Sequence, residues 1–168
     1  MKKFNIISFI IISVLGTLCH FVYEWSGSNK FIGYFTAVNE STWEHLKLLF
    51  FPSILYFVFE YFILKNHPKN FIPATAVGII FGLVSIVVIF YSYKGIIGFN
   101  IDFINIFIYY LGVAIMIAIR TLIIKNNWLI SKIWNISFLF IIIIIGISFI
   151  VFTYSPPSIP LFTPPMEN

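Results

Sequence analysis

The sequence predicts an all-α, polytopic membrane protein: a bundle of five transmembrane helices with the N-terminus inside and the C-terminus outside. Three observations predict it. The 168 residues are 60% hydrophobic and 10% charged, against about 25% charged in a soluble domain. Too few charged side chains exist to cover a water-facing surface, so lipid must do the solvating. Five apolar runs, each close to the ~20 residues that cross ~30 Å of hydrocarbon, alternate with short polar connectors. The cations, finally, gather in alternate connectors, as the positive-inside rule requires.

The runs cover residues 4–23, 41–64, 71–93, 102–124 and 135–154, and the connectors 65–70, 94–100 and 125–132 leave no room for an inserted soluble domain. One membrane domain therefore accounts for 1–168, with a proline-rich outer tail at 155–168. Met1-Lys2-Lys3 ahead of an apolar run resembles a signal peptide, but the run has the length of a span and is expected to be retained. The five-isoleucine run at 141–145 reads as lipid-facing. The single cysteine, Cys19, has no intramolecular disulfide partner and reads as a small apolar side chain.

With the N-terminus inside, Lys2, Lys3, Lys65, Lys69, Arg120, Lys125 and Lys132 fall on the inner side, and only Lys30, Lys47 and Lys94 on the outer side. The acids run the other way. Glu24, Glu40, Glu44, Asp102 and Glu167 fall outside, and Glu60 alone toward the inside. The rule does not act on acids, so a cation or proton site on the outer face is one cause to consider. Net charge is +4, and the cations are dispersed, so nucleic acid is excluded as a partner. The expected setting is a multi-pass position in the cell membrane, with the lipid bilayer around it and a membrane-protein partner or second copy as candidate neighbours.

Helical periodicity sorts the faces. On the first span, Ser13, Gly16, Thr17, His20 and Glu24 form one small and polar stripe, with His20 and Glu24 an i,i+4 pair. On the third, Thr75, Gly78, Gly82 and Ser85 make a close-packing seam. On the fourth, Asp102, Asn105, Tyr109, Gly112, Met116 and Arg120 form a second polar stripe.

The second span begins Asn39-Glu40-Ser41-Thr42-Trp43-Glu44-His45. Ser41 and Glu44 have capping-box spacing, which starts the helix at Ser41 and gives Glu44 a structural job. Glu40 and His45 then occupy places that greasy staple residues ordinarily hold. Further along, Glu60 lies ~22 Å deeper than His45 at ~1.5 Å per residue, level with Arg120, and an intramembrane Glu60–Arg120 ion pair would neutralise two expensive charges. Trp25, Trp43, Trp128 and Trp134 read as aromatic belts. The tail, with its Pro156-Pro157 and Pro160, is extended and is either inert or a strap over the outer mouth.

Because consecutive helices are neighbours, His20, Glu24, Glu40 and His45 converge near the outer surface as a candidate divalent-metal set. Asn39, Glu44 and Asp102 are candidates to support the ligands from behind or to cap the helix. Two imidazoles and carboxylates suit zinc, manganese or iron; without a metal they form a proton-binding cluster or a plain hydrogen-bonded cap.

Residues 15–27 (LGTLCHFVYEWSG), residues 38–52 (VNESTWEHLKLLFFP) and the ending Tyr154-Ser155-Pro156-Pro157 with Pro160-Leu161-Phe162 resemble the signature of a family of small bacterial integral membrane proteins, a domain of unknown function. The resemblance spans the chain and implies a multi-span fold; it supplies no activity or catalytic residue.

Three function classes follow. The leading one is a structural, accessory or partner-binding membrane protein. The second binds or moves a cation, a proton or a small solute through the outer His/Glu cluster. The third is a membrane-embedded metal-dependent enzyme. No nucleophile elbow, phosphate loop, zinc-helix motif or nucleotide fingerprint is present, which weighs against an enzyme.

Overall fold

The structure, a computed structural model, describes residues 2–64 and 66–164, without the side chains of Lys2 and Lys3. Of the charges used to orient the bundle, those two side chains, Lys65 and Glu167 lie outside the described residues, as does the end of the proline-rich tail at 165–168. The order is α1 (Lys2–Trp25), α2 (Lys30–Gly33), α3 (Thr42–Ile63), α4 (Phe71–Ile97), α5 (Asp102–Lys125) and α6 (Lys132–Tyr154), then a 3₁₀ turn at Pro160–Phe162. All except α2 and the turn are long and apolar enough to cross a membrane, and there is no strand among the described residues.

The helices overrun the apolar segments at several ends. Hydropathy reports the hydrocarbon, whereas caps end the hydrogen-bond ladder. Gly98, at φ 88°, closes α4 in the left-handed conformation, its N–H donating to Lys94 O. Lys94, Lys125 and Lys132, expected in connectors, therefore lie on helix ends.

Helix α3 is the most enclosed span, packing on α1, α4, α5, α6 and the tail. Its Leu49, Phe50 and Phe57 join Ile79, Val113, Met116 and Phe149 in the core. The α4–α5 seam is the tightest. A Cβ on Gly78 would come within 2.7 Å of Met116 O, and one on Gly82 within 3.0 Å of Gly112 O, so the Gly-x-x-x-Gly step lets the backbones approach. Helix α6 buries only Phe149 and Thr153. Ile141, Ile143 and Ile144 face outward as expected, while Ile142 and Ile145 turn to the core.

At one end of the bundle, Arg120 Nη2 of α5 donates to Glu60 Oε2 of α3 at 2.8 Å, and Arg120 Nε to Thr75 Oγ1 of α4 at 3.1 Å. The guanidinium also lies 4.4 Å from the Phe57 ring centre and 4.8 Å from that of Phe71. Three helices are thus tied by one side chain. Nearby, Asn70 Nδ2 donates to Ile123 O in the last turn of α5 and to Trp128 O in the turn that follows it.

At the opposite end the tail folds back. Phe162 lies 4.6 Å from the Trp43 ring, which also meets Phe149 at 4.5 Å and Phe152 at 5.7 Å. This corrects the belt reading for Trp43: as the second residue of α3 it faces α6 and the tail. Trp25, Trp128 and Trp134 are exposed.

Candidate functional site

The site sits at the end of the bundle where α1 finishes and α3 begins. Helix α1 closes over Gly27 and Ser28, both at positive φ, with Ser28 N–H donating to Tyr23 O. Asn29 then caps α2, its Oδ1 accepting from Phe31 N–H at 2.9 Å. This four-residue helix went unforeseen because so short a segment carries no readable period. Asn39 Oδ1 accepts from Ser41 N–H at 2.9 Å, turning the chain into α3. Ser41 Oγ accepts from Glu44 N–H at 3.4 Å as the helix cap. Glu40, between the turn residue and the cap, is left projecting over the first turn of α3.

There it meets two imidazoles. Glu40 Oε2 lies 3.2 Å from His45 Nε2 and 3.9 Å from His20 Nε2. The two rings stand edge to face, 5.2 Å apart at 88°. His20, Glu40 and His45 can offer one ligand atom each, all within 4.8 Å of one another. Donors around one ion with bonds of ~2.0–2.2 Å lie at most about 4.4 Å apart, so the three groups stand slightly wider than one coordination sphere. The side chains are 36%, 62% and 34% exposed in that order, which leaves the site open to water.

The protons sharpen the chemistry. His45 Nδ1 lies 2.9 Å from Ser41 O. A carbonyl only accepts, so Nδ1 carries a hydrogen and Nε2 is the free nitrogen. Yet Nε2 faces a carboxylate oxygen, also an acceptor. Either a proton, on the ring or on the carboxyl, or a cation must stand between them. The hydrogen bond from His45 holds the Glu40 carboxyl below the usual carboxylate range; partial burial opposes this, and the charges of both imidazoles reinforce it. The Ser41 carbonyl thus orients a candidate ligand from behind, as in many metal centres.

The other sequence-named residues lie elsewhere. Glu24 is one turn beyond His20, past the level at which α3 begins. It is exposed and makes no side-chain hydrogen bond among the described residues, so His20 faces Glu40 instead. Asp102 is also exposed and unbonded among the described residues. The polar stripe of α5 leans to α4 there, where Asn105 Oδ1 accepts from the Tyr93 hydroxyl. Asn39 serves the turn. Glu44 completes only half of a capping box: its backbone N–H is capped, but its carboxylate accepts from Val38 N–H at 3.0 Å and pairs with Lys47.

Lys47 has a role that the charge count does not reveal. Counted among the outer cations, it is fully buried, its Nζ donating to Gly33 O at 2.8 Å and Thr153 Oγ1 at 2.9 Å besides meeting Glu44. The Glu44–Lys47 pair locks the α1–α3 connector and α6 onto the first turns of α3, the stretch that carries His45. The available signal was the i,i+3 spacing of opposite charges at the start of an apolar span.

No curated protein and no solved structure matches the chain. A family model does, over residues 1–167, and the chain belongs to that family of unknown function, DUF6512.

Proposed function

We propose that this is a multi-pass cell-membrane protein, N-terminus inside, that binds a divalent transition-metal ion at its outer face through His20 Nε2, His45 Nε2 and a Glu40 carboxylate oxygen. The observation that carries the reading is the gathering of those three donors within 4.8 Å of one another. With Nδ1 turned to the Ser41 carbonyl, His45 Nε2 and the Glu40 oxygen face one point, which a cation would occupy in place of a second ring proton. Two imidazoles and one carboxylate suit zinc, manganese or iron, and three protein donors leave a coordination position for water or a small ligand. Glu24, Glu44 and Asp102 are not part of the proposed set. The lipid bilayer solvates the apolar faces of the spans.

The test is metal content of the detergent-purified protein after equilibration with zinc and removal of unbound ion. One zinc per chain is expected, with loss of that ion in His20→Ala, Glu40→Gln and His45→Ala but not in Glu24→Gln. A wild-type protein that retains no metal would leave the cluster as a hydrogen-bonded cap on α3 and would favour a structural or accessory role.

A further inference from the structure

Helix α3 carries Pro52 in its interior. Proline has no N–H, so the carbonyl of Leu48, four residues earlier, lacks its helical donor. Tyr109 of α5 stands in. Its hydroxyl lies 3.4 Å from Leu48 O of α3 and 3.1 Å from Ile12 O of α1. A phenol has one proton to give, and here it is shared between the main chains of two helices. Gly16 of α1 makes the approach feasible, since a methyl group at that position would overlap both the Tyr109 hydroxyl and the Leu48 carbonyl. A glycine on α1, a proline-freed carbonyl on α3 and a tyrosine on α5 thus meet at one point. His20 lies four residues beyond Gly16, and His45 three residues before Leu48. The junction is therefore one helical turn below each imidazole, on the two helices that present them.

We propose that Tyr109 is a positioning residue for the His20–Glu40–His45 site: its hydroxyl joins Ile12 O and Leu48 O and so fixes the spacing of α1 and α3. In this way Tyr109 sets metal affinity without touching the metal. This rests on the reading of the cluster as a metal site. Without the hydroxyl, the Leu48 carbonyl would be left unpaired inside an apolar bundle, where no water replaces the lost donor. The two helices would shift to recover a donor, and the imidazoles would move with them.

The experiment uses cobalt(II) as the probe, read by its visible absorption and by titration. Tyr109→Phe keeps the ring and should weaken binding by about tenfold or more, as loss of an orienting partner does elsewhere, with a changed cobalt spectrum. Ser8→Ala removes another hydroxyl link between the same two helices, to Tyr56 at 3.0 Å, at the far end; it should leave affinity and spectrum unchanged. Pro52→Ala returns a backbone N–H to Leu48, so adding it to Tyr109→Phe should restore most of the affinity. Unchanged affinity in Tyr109→Phe, or no recovery with Pro52→Ala, would overturn the proposal. A metal-free arm separates it from the site reading. In a Cys19→Ser background, His20→Cys and His45→Cys are oxidised to a disulfide, and the rate is followed. Tyr109→Phe should slow it severalfold and Pro52→Ala should restore it; equal rates would overturn the positioning role. Wild type that takes up no cobalt would sink the metal reading and the affinity claim together, while the cross-linking rate still decides the spacing claim.

Discussion

Arg120 and Glu60, sixty residues apart, meet at 2.8 Å with both side chains almost fully buried, at 6% and 7% exposed. The guanidinium has Thr75 and two aromatic faces for its remaining surface, so the pair has company that most lone ion pairs lack. Removing one partner, by Glu60→Gln or Arg120→Met, should cost ~3–5 kcal/mol, because the survivor is left buried and uncompensated. The double variant should cost clearly less than the sum. Thermal unfolding in detergent checks this, and additive losses would mean the two charges are energetically independent.

Two glycines on α4 separate packing from propensity. Gly78 meets Met116 O across the seam, whereas a side chain on Gly95 would have nothing within 4 Å. Gly78→Ala should destabilise by ~1–3 kcal/mol through overpacking. Gly95→Ala should stabilise by ~0.4–1 kcal/mol, since alanine has less chain entropy to lose. Equal effects at the two positions would contradict the α4–α5 seam.

The Glu44–Lys47 pair predicts a cycle of its own. Lys47→Met strands a buried carboxylate and should cost ~3–5 kcal/mol. It should also loosen the α1–α3 connector, because Lys47 no longer holds Gly33 O. Limited proteolysis between residues 26 and 41 should become faster. Adding Glu44→Gln should recover much of the stability. A connector as resistant as wild type in Lys47→Met would show that other contacts hold it.

Much of this arrangement could be read from the chain, and the failures have physical reasons. Counting rises of 1.5 Å per residue placed Glu60 and Arg120 at one depth, and the two do meet. The connector makes α1 and α3 neighbours, and His20 of α1, Glu40 of the connector and His45 of α3 come together. Glu24 did not follow, because a period of 3.6 fixes its face but not the level at which the neighbouring helix starts. The burial of Lys47 was not legible, because positive-inside counting gives a cation's side and not its depth, whereas a carboxylate three residues away on the same helix makes burial tolerable. Tyr109 carried no linear signal; its role depends on a carbonyl freed by a proline on another helix.

The charge asymmetry predicts the N-terminus inside and the C-terminus outside. In a Cys19→Ser background, a membrane-impermeant thiol reagent added from outside should label a cysteine placed at Ser158 and not one placed at Asn66. The reverse pattern would invert the bundle, and labelling of both would contradict the odd number of spans.

The central claim is that His20, Glu40 and His45 hold a metal ion, and zinc K-edge X-ray absorption of the zinc-loaded protein tests it most directly. The account predicts two imidazole nitrogens with their multiple-scattering signature and carboxylate or water oxygen, at about 2.0–2.2 Å. The imidazole signature should disappear when His20 and His45 are both replaced by alanine. A spectrum of solvated zinc with oxygen neighbours only, or an imidazole signature that survives that double replacement, would contradict it.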